Sequence, residues 1–329
     1  MGTDVLLEID HLSVEFTAHQ RKIPAVRGID LTILPGQFHA LVGESGAGKT
    51  VTSLSILRLL PPNVSSLRGS ILFNDHDLFQ LSEDLMRNLR GREISMIFQE
   101  PSKYLNPSLK AGFQVMEGIR YHMGYSEKAA RERVYELFEK VGLSDPELAM
   151  DRYPHEFSVG MKQRVMIAMA ISCNPSLLIA DEPTTSLDVG VQRQIIHLLL
   201  ELQRSSNMAI LYVTHDLGIV QYAANVISII YAGKIVESAS KDTLFSKPLH
   251  PYTRLLLASI PSREKRGTRL QGIPGTIPSP EDLPFGCSFH PRCPLAQQKC
   301  RESEPPLVRI EAGHRCACFF PGKEFGSLP

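Results

Sequence analysis

The chain has 329 residues, 43% of them apolar, enough for one large domain or two smaller ones around a substantial core. Its 35 Lys and Arg balance 35 Asp and Glu, and this zero formal net charge argues against nucleic acid as the main partner, since phosphate-backbone binding calls for a basic excess. No apolar run approaches the roughly 18 residues that cross a bilayer, and MGTDVLLEID carries acidic residues rather than a basic-then-apolar export signal, so the chain is expected in the cytoplasm, meeting a membrane only through a partner.

Along the chain, LLEIDHLSVEF alternates apolar residues and predicts a strand. FHALVG is a short apolar run closed by glycine, and a helix is predicted from Thr50 to Leu60, stopped by Pro61-Pro62. Between them, Gly43-Glu44-Ser45-Gly46-Ala47-Gly48-Lys49-Thr50 fits G-x-x-x-x-G-K-[ST]. Each part of that pattern serves phosphate chemistry. The glycines let backbone N–H groups turn inward, and the helix presents its N-terminus to negative charge. The lysine reaches the β- and γ-phosphates, and the hydroxyl of the last residue ligates Mg²⁺. A glycine-rich turn that merely caps a helix is the competing reading. The strand before and helix after favour the phosphate loop.

Glu127 to Val141 is rich in Glu, Lys, Arg and Ala and predicts an amphipathic helix. SLLIADEP and MAILYVTHD are continuous apolar runs that end in acidic residues, as in strands buried on both faces of a parallel sheet, and helices between such strands imply an α/β core. The first of these runs places Asp181 and Glu182 at a strand's carboxyl end, where α/β sheets bind ligands. Asp181 is suited to hold Mg²⁺ through water and Glu182 to polarise an attacking water. An exposed acidic pair opening a turn before Pro183 is the alternative. From about Pro261, prolines and glycines recur with few periodic apolar residues, and a separate small C-terminal module is expected. It holds Cys287, Cys293, Cys300, Cys316 and Cys318, while Cys173 stands alone mid-chain. Clustering of that kind in a cytosolic chain points to metal rather than disulfides.

What lies between and after these elements resembles the ABC-type ATPases. Gln99 in SMIFQEP matches the family's Q-loop glutamine, Phe157-Ser158-Val159-Gly160-Met161 stands where its signature lies, Ser186-Leu187-Asp188 resembles its D-loop, and His215 in LYVTHD resembles its switch histidine. The likeness covers residues 5 to 260. It implies a P-loop ABC-ATPase core, with a RecA-like parallel sheet, an antiparallel β-subdomain and an α-helical subdomain at about 100–165. ATP and Mg²⁺ are the implied ligands. Gly43, Ser45, Gly46, Gly48, Lys49, Thr50 and Val51 would take the phosphates, and Phe16 would stack on adenine, although a strand core needs such an aromatic anyway. Thr50, Gln99 and Asp181 would attend Mg²⁺, with Glu182, His215 and Gln99 as the catalytic group. Ser158, Gly160 and Asp188 would meet ATP held by a second ATPase subunit. Val159 replaces a signature glycine. A β-branched residue resists φ > 0 and adds bulk, so a weakened site was weighed against simple tolerance.

KPLHPYTRLLLASIP, FQEPSKYLNPSL, PFGCSFHPRCPLAQQKC and GHRCACFFPG resemble segments of the oligopeptide and dipeptide importer ATPases. That branch implies ATP hydrolysis powering import of peptides or a related solute such as nickel. Its partners would be transmembrane permease subunits, a second ATPase subunit, either a paralogue, as the branch often uses, or an identical copy, and indirectly an external binding protein. The chain would sit peripherally on the cytoplasmic face of the inner or plasma membrane, with residues 1–260 as ATPase and 261–329 as the extension. In that branch the cysteines can carry a 4Fe–4S cluster, here on Cys287, Cys293, Cys300 and Cys318, with a Cys₄ zinc site or bare thiols as the alternatives. Two further functions compete with a transport ATPase: a soluble ABC ATPase of DNA repair or ribosomes, and a regulatory subunit that binds ATP with weak hydrolysis. The first is disfavoured by the single ATPase core without a charged heptad run, the second by the presence of both Glu182 and His215.

Overall fold

The computed structural model describes residues 5–18, 21–185, 187–260 and 272–323. The chain opens with β1 (Leu7–Ala18), β2 (Arg21–Ile33) and β3 (Phe38–Val42), then α1 (Lys49–Ile56), β4 (Val64–Phe73), β5 (His76–Asp77), α2 (Glu83–Leu89) and β6 (Ile94–Ile97). Helices follow: α3 (Pro101–Tyr104), α4 (Ala111–Met123), α5 (Glu127–Lys140), α6 (Pro146–Asp151) and α7 (Val159–Ile171). After them come β7 (Leu177–Asp181), α8 (Val189–Ser206), β8 (Ala209–Thr214), α9 (Leu217–Ala223), β9 (Val226–Tyr231), β10 (Lys234–Ser240), α10 (Lys241–Ser246) and α11 (Pro251–Ala258). The C-terminal stretch adds α12 (Gln298–Glu302), β11 (Val308–Glu311) and β12 (His314–Cys316). These elements fall into two compact units, one formed mainly by residues 80–212 and the other by 7–33, 38–79 and 213–329.

The first unit carries the helical region. β6 and β7 pair in parallel, and all nine of their residues are buried, as expected of strands covered on both faces. α5 begins at Ser126, whose hydroxyl accepts the Ala129 N–H, and buries Ala130, Val134, Leu137 and Phe138 along one stripe. α7 is less amphipathic: seven of its residues, from Gln163 to Ile171, are buried, leaving the solvent face near its start.

The second unit contains a four-stranded sheet in the order β2-β1-β4-β5, with β1 antiparallel to β2 and β4, and a mixed sheet in which β3 pairs β9 in parallel and β9 pairs β10 antiparallel. β3 is buried at every position. α1 ends sooner than its sequence predicts: Leu57 is the C-cap and Arg58 takes a left-handed φ of 52°, so the chain leaves the helix before Pro61. The C-terminal stretch also contributes to a sheet, because β12 pairs with β10 through Glu237↔Cys316 and Ser238↔Arg315, and β11 pairs with β12. Glu237, fully buried, fixes that seam: its carboxylate accepts the Leu249 and His250 N–H groups and an interaction from His314 Nε2 at 2.8 Å.

Candidate functional site

In the second unit the phosphate loop runs from the end of β3 into α1. Gly46 and Gly48 hold φ of 81° and 103°, a region that favours glycine. Gly43 is required for space, since a Cβ there would lie 2.3 Å from the Ile230 carbonyl oxygen. The loop is braced from behind by the Gly233 N–H donating to Ala47 and by the Gly43 N–H donating to Thr214 at the end of β8. Lys49 is buried, its ammonium donating to the Gly43 and Glu44 carbonyls at 2.9 and 3.0 Å. Ser45 and Thr50 are exposed, Val51 is half-buried on the first turn, and α1 starts at Gly48 with no side-chain cap. Uncapped N–H groups behind three glycines form the anion cradle that a nucleotide's phosphates require, so the residues present fit that ligand. His215 follows directly on Thr214 and is exposed, and Asp216 caps α9 through the Gly218 N–H. Phe16 lies half-buried on β1, opposite Ile23 and Val64.

In the first unit, β7 ends at buried Asp181, and the next residue, Glu182, adopts a left-handed φ of 45°. Such a conformation costs a non-glycine residue about 1–3 kcal/mol and is held by its surroundings. Here Gln99 Nε2 and the Thr185 hydroxyl both donate to Glu182 Oε2 at 3.0 Å, so two donors aim this carboxylate. The Gln99–Glu182 contact joins two residues singled out separately in the sequence. Thr185 escaped sequence reasoning, and only its place three residues after Glu182 could have suggested it. Ser158 is the N-cap of α7, its hydroxyl accepting the Met161 N–H at 3.3 Å. Val159 is the first helical residue of α7 and 46% exposed, and it takes no positive φ, so the conformational penalty expected of a β-branched residue does not arise and only its bulk remains. Gly160 packs so that a Cβ would lie 3.3 Å from Val191. Asp188 caps α8 through the Val191 N–H at 3.0 Å. Ser186 lies outside the described residues.

The C-terminal stretch draws Cys287, Cys293, Cys300 and Cys318 around one cavity with Phe289, Leu295, Phe319 and Phe320. Cys316 is fully buried on β12 and does not line it. The Cys287 N–H donates to the Cys300 carbonyl at 2.8 Å, closing the loop on itself. Burial pushes the Cys287 thiol up to about 11 and the Cys293 thiol up to about 12, with neighbouring thiols adding to both. Among the described residues no three of these sulfurs come within 4.8 Å of one another. Four thiols lining one cavity are a donor set that Cys-ligated metal centres use, a 4Fe–4S cluster or a Cys₄ zinc site alike.

A family model described as ABC transporter matches residues 26–185, and one described as the oligopeptide/dipeptide transporter C-terminal region matches residues 236–300. The oligopeptide transport ATP-binding protein AppD of Bacillus subtilis is 48% identical over 315 residues, 95% of this chain and 96% of that protein. The dipeptide transport ATP-binding protein DppD of Escherichia coli is 45% identical over 321 residues, 98% of each chain. Among solved structures, the dimeric structure of MJ0796, a bacterial ABC transporter cassette, superposes with a TM-score of 0.64 at 25% identity, covering 71% of this chain and 98% of that one. With a phosphate loop, an aimed strand-end glutamate and kinship along nearly its whole length, the chain belongs to the ATP-binding subunits of ABC transporters, in their oligopeptide/dipeptide branch.

Proposed function

We propose that this chain hydrolyses ATP to power the import of di- or oligopeptides through membrane permease subunits, working beside a second ATPase subunit at the cytoplasmic face of the membrane. The observation that carries the ATPase reading is the phosphate loop, in which Lys49 is buried among loop carbonyls at an uncapped helix start. The peptide reading is supported by relatives named for oligopeptide and dipeptide transport and by the match over residues 236–300. No described helix is long and apolar enough to cross a membrane, which is consistent with attachment through partners.

The residue roles follow from the chemistry of each group. Lys49 and the loop N–H groups bind phosphate, and Thr50 and Asp181 attend Mg²⁺, which when bound supplies charge neutralisation for phosphoryl transfer. Glu182, oriented by Gln99 and Thr185, orients and deprotonates the attacking water. His215 contacts the γ-phosphate. Ser158, the Gly160 N–H and Asp188 serve ATP held by the second subunit. The ATPase part spans 1–260 and the extension 261–329, although the match to the C-terminal family model already begins at residue 236.

The cavity of Cys287, Cys293, Cys300 and Cys318 carries a 4Fe–4S cluster in this proposal, for which the gathering of four thiols around one cavity is the support. Anaerobically purified protein should then be brown, with absorbance near 400 nm that bleaches on reduction. Colourless protein containing zinc would reject the cluster. The transport reading is tested by reconstituting the chain with its permease and partner ATPase in vesicles. ATP turnover should rise several-fold when binding protein loaded with a di- or oligopeptide is supplied. Turnover indifferent to every peptide offered would remove the peptide reading.

A further inference from the structure

The first variable residue of the phosphate loop, Glu44, is gripped by the C-terminal stretch. Arg292 Nη1 donates to Glu44 Oε1 and Oε2 at 3.0 and 3.2 Å, and Nη2 donates to Oε2 at 3.2 Å, a forked pair. The arginine side chain is only 5% exposed, against 30% for the glutamate. Its Nε donates to the Pro274 carbonyl at 2.8 Å, and Nη1 also reaches the Tyr231 hydroxyl at 3.3 Å. The loop backbone is held at the same residue, because the Glu44 N–H donates to the Tyr252 hydroxyl at 3.2 Å. Tyr231, Tyr252 and Phe289 pack edge-on, with centroids 4.7 to 5.3 Å apart, so the grip rests on a rigid aromatic base. Arg292 ends a single helical turn, His290–Arg292, whose next residue is Cys293.

Building on the ATP reading of this loop, we infer that Arg292 is a positioning residue for nucleotide binding: it neutralises Glu44 and fixes the entry to the phosphate loop, making ATP affinity depend on the folded C-terminal stretch. The physical reason lies in the charge. A loop that must accept three or more phosphate charges carries a carboxylate at its second position. Unpaired, that carboxylate repels the polyphosphate across a partly desolvated gap, where Coulomb interactions are several times stronger than in water. Paired with a buried guanidinium, it presents little net charge and a fixed geometry.

The test is equilibrium binding of Mg·ATP and ADP to the full chain. Removing the cation in Arg292→Gln should weaken both nucleotides about tenfold by exposing the unpaired charge. Adding Glu44→Gln in the same chain should bring affinity back to within about threefold of wild type, because the repelling charge is then gone. Rescue of that kind distinguishes positioning from mere support of the fold, which Glu44→Gln would not repair. Unchanged affinity in Arg292→Gln, or a double variant as weak as the single one, overturns the inference. If Arg292→Gln does not fold, as judged by thermal unfolding, Arg292→Lys takes its place: it keeps the cation but loses the fork, and should weaken binding about threefold. Unaltered affinity in Arg292→Lys then overturns the inference equally. Lys49→Ala serves as the control: if it too leaves nucleotide binding intact, the ATP reading of the loop falls rather than the role of Arg292.

Discussion

The proposed hydrolysis rests on Glu182, whose backbone takes a left-handed φ and whose carboxylate is held by two donors. Its place was legible, because an apolar run that stops at Asp-Glu-Pro marks the carboxyl end of a buried strand. Its left-handed φ of 45° was not, since no residue type at this position calls for it. Arg292 was illegible for a related reason: nothing in the spacing between residues 44 and 292 announces a forked pair across 248 positions. Residue-scale burial also sets a pH response. His39 is fully buried against Ser228, and burial lowers its pKa from 6.5 to about 4. The unfolded chain therefore takes up a proton near pH 6.5 while the folded chain resists until about pH 4, so stability falls as pH drops through this window. The loss from this one residue is on the order of 3 kcal/mol. Thermal unfolding followed from pH 7 to pH 4 should show that decline, and His39→Gln should lessen it, leaving the share of His250, which burial lowers to about 3. An equally steep profile in the variant would contradict the assignment.

At the scale of elements, long periodic or continuous patterns were readable and paired seams were not. The stretch Glu127 to Val141 gave α5 almost to the residue, and SLLIADEP and MAILYVTHD gave β7 and β8. The four-stranded antiparallel sheet was visible in the residues only through β1, because β2 and β4 are partly exposed along much of their length and lack clean alternation. The C-terminal stretch looked irregular, yet β12 pairs with β10 and carries β11 on its other side, since a three-residue strand has no period of its own to read. That strand separates the two neighbouring cysteines. Cys316 sits inside β12 opposite Glu237, and Cys318 lies beyond the strand's end on the cavity. Cys318→Ser should therefore abolish the absorbance near 400 nm while Cys316→Ser leaves it, as read by spectra of the two variants purified anaerobically. Loss of colour in Cys316→Ser alone would reverse the ligand assignment.

At the scale of the whole molecule, the residues proposed to handle ATP fall in both compact units. The phosphate loop and His215 belong to one, and Gln99, Asp181, Glu182 and the start of α7 belong to the other. Over 95 to 98% of its length the chain is similar to proteins named for oligopeptide and dipeptide transport. The central claim is that Glu182 activates the water that cleaves ATP. It is tested most directly by measuring ATP binding and ATP turnover of the assembled transporter carrying Glu182→Gln. Turnover should fall by about a hundredfold or more, the usual worth of a general base, while ATP still binds at near wild-type affinity. Turnover that survives the substitution with bound ATP unchanged would contradict the account.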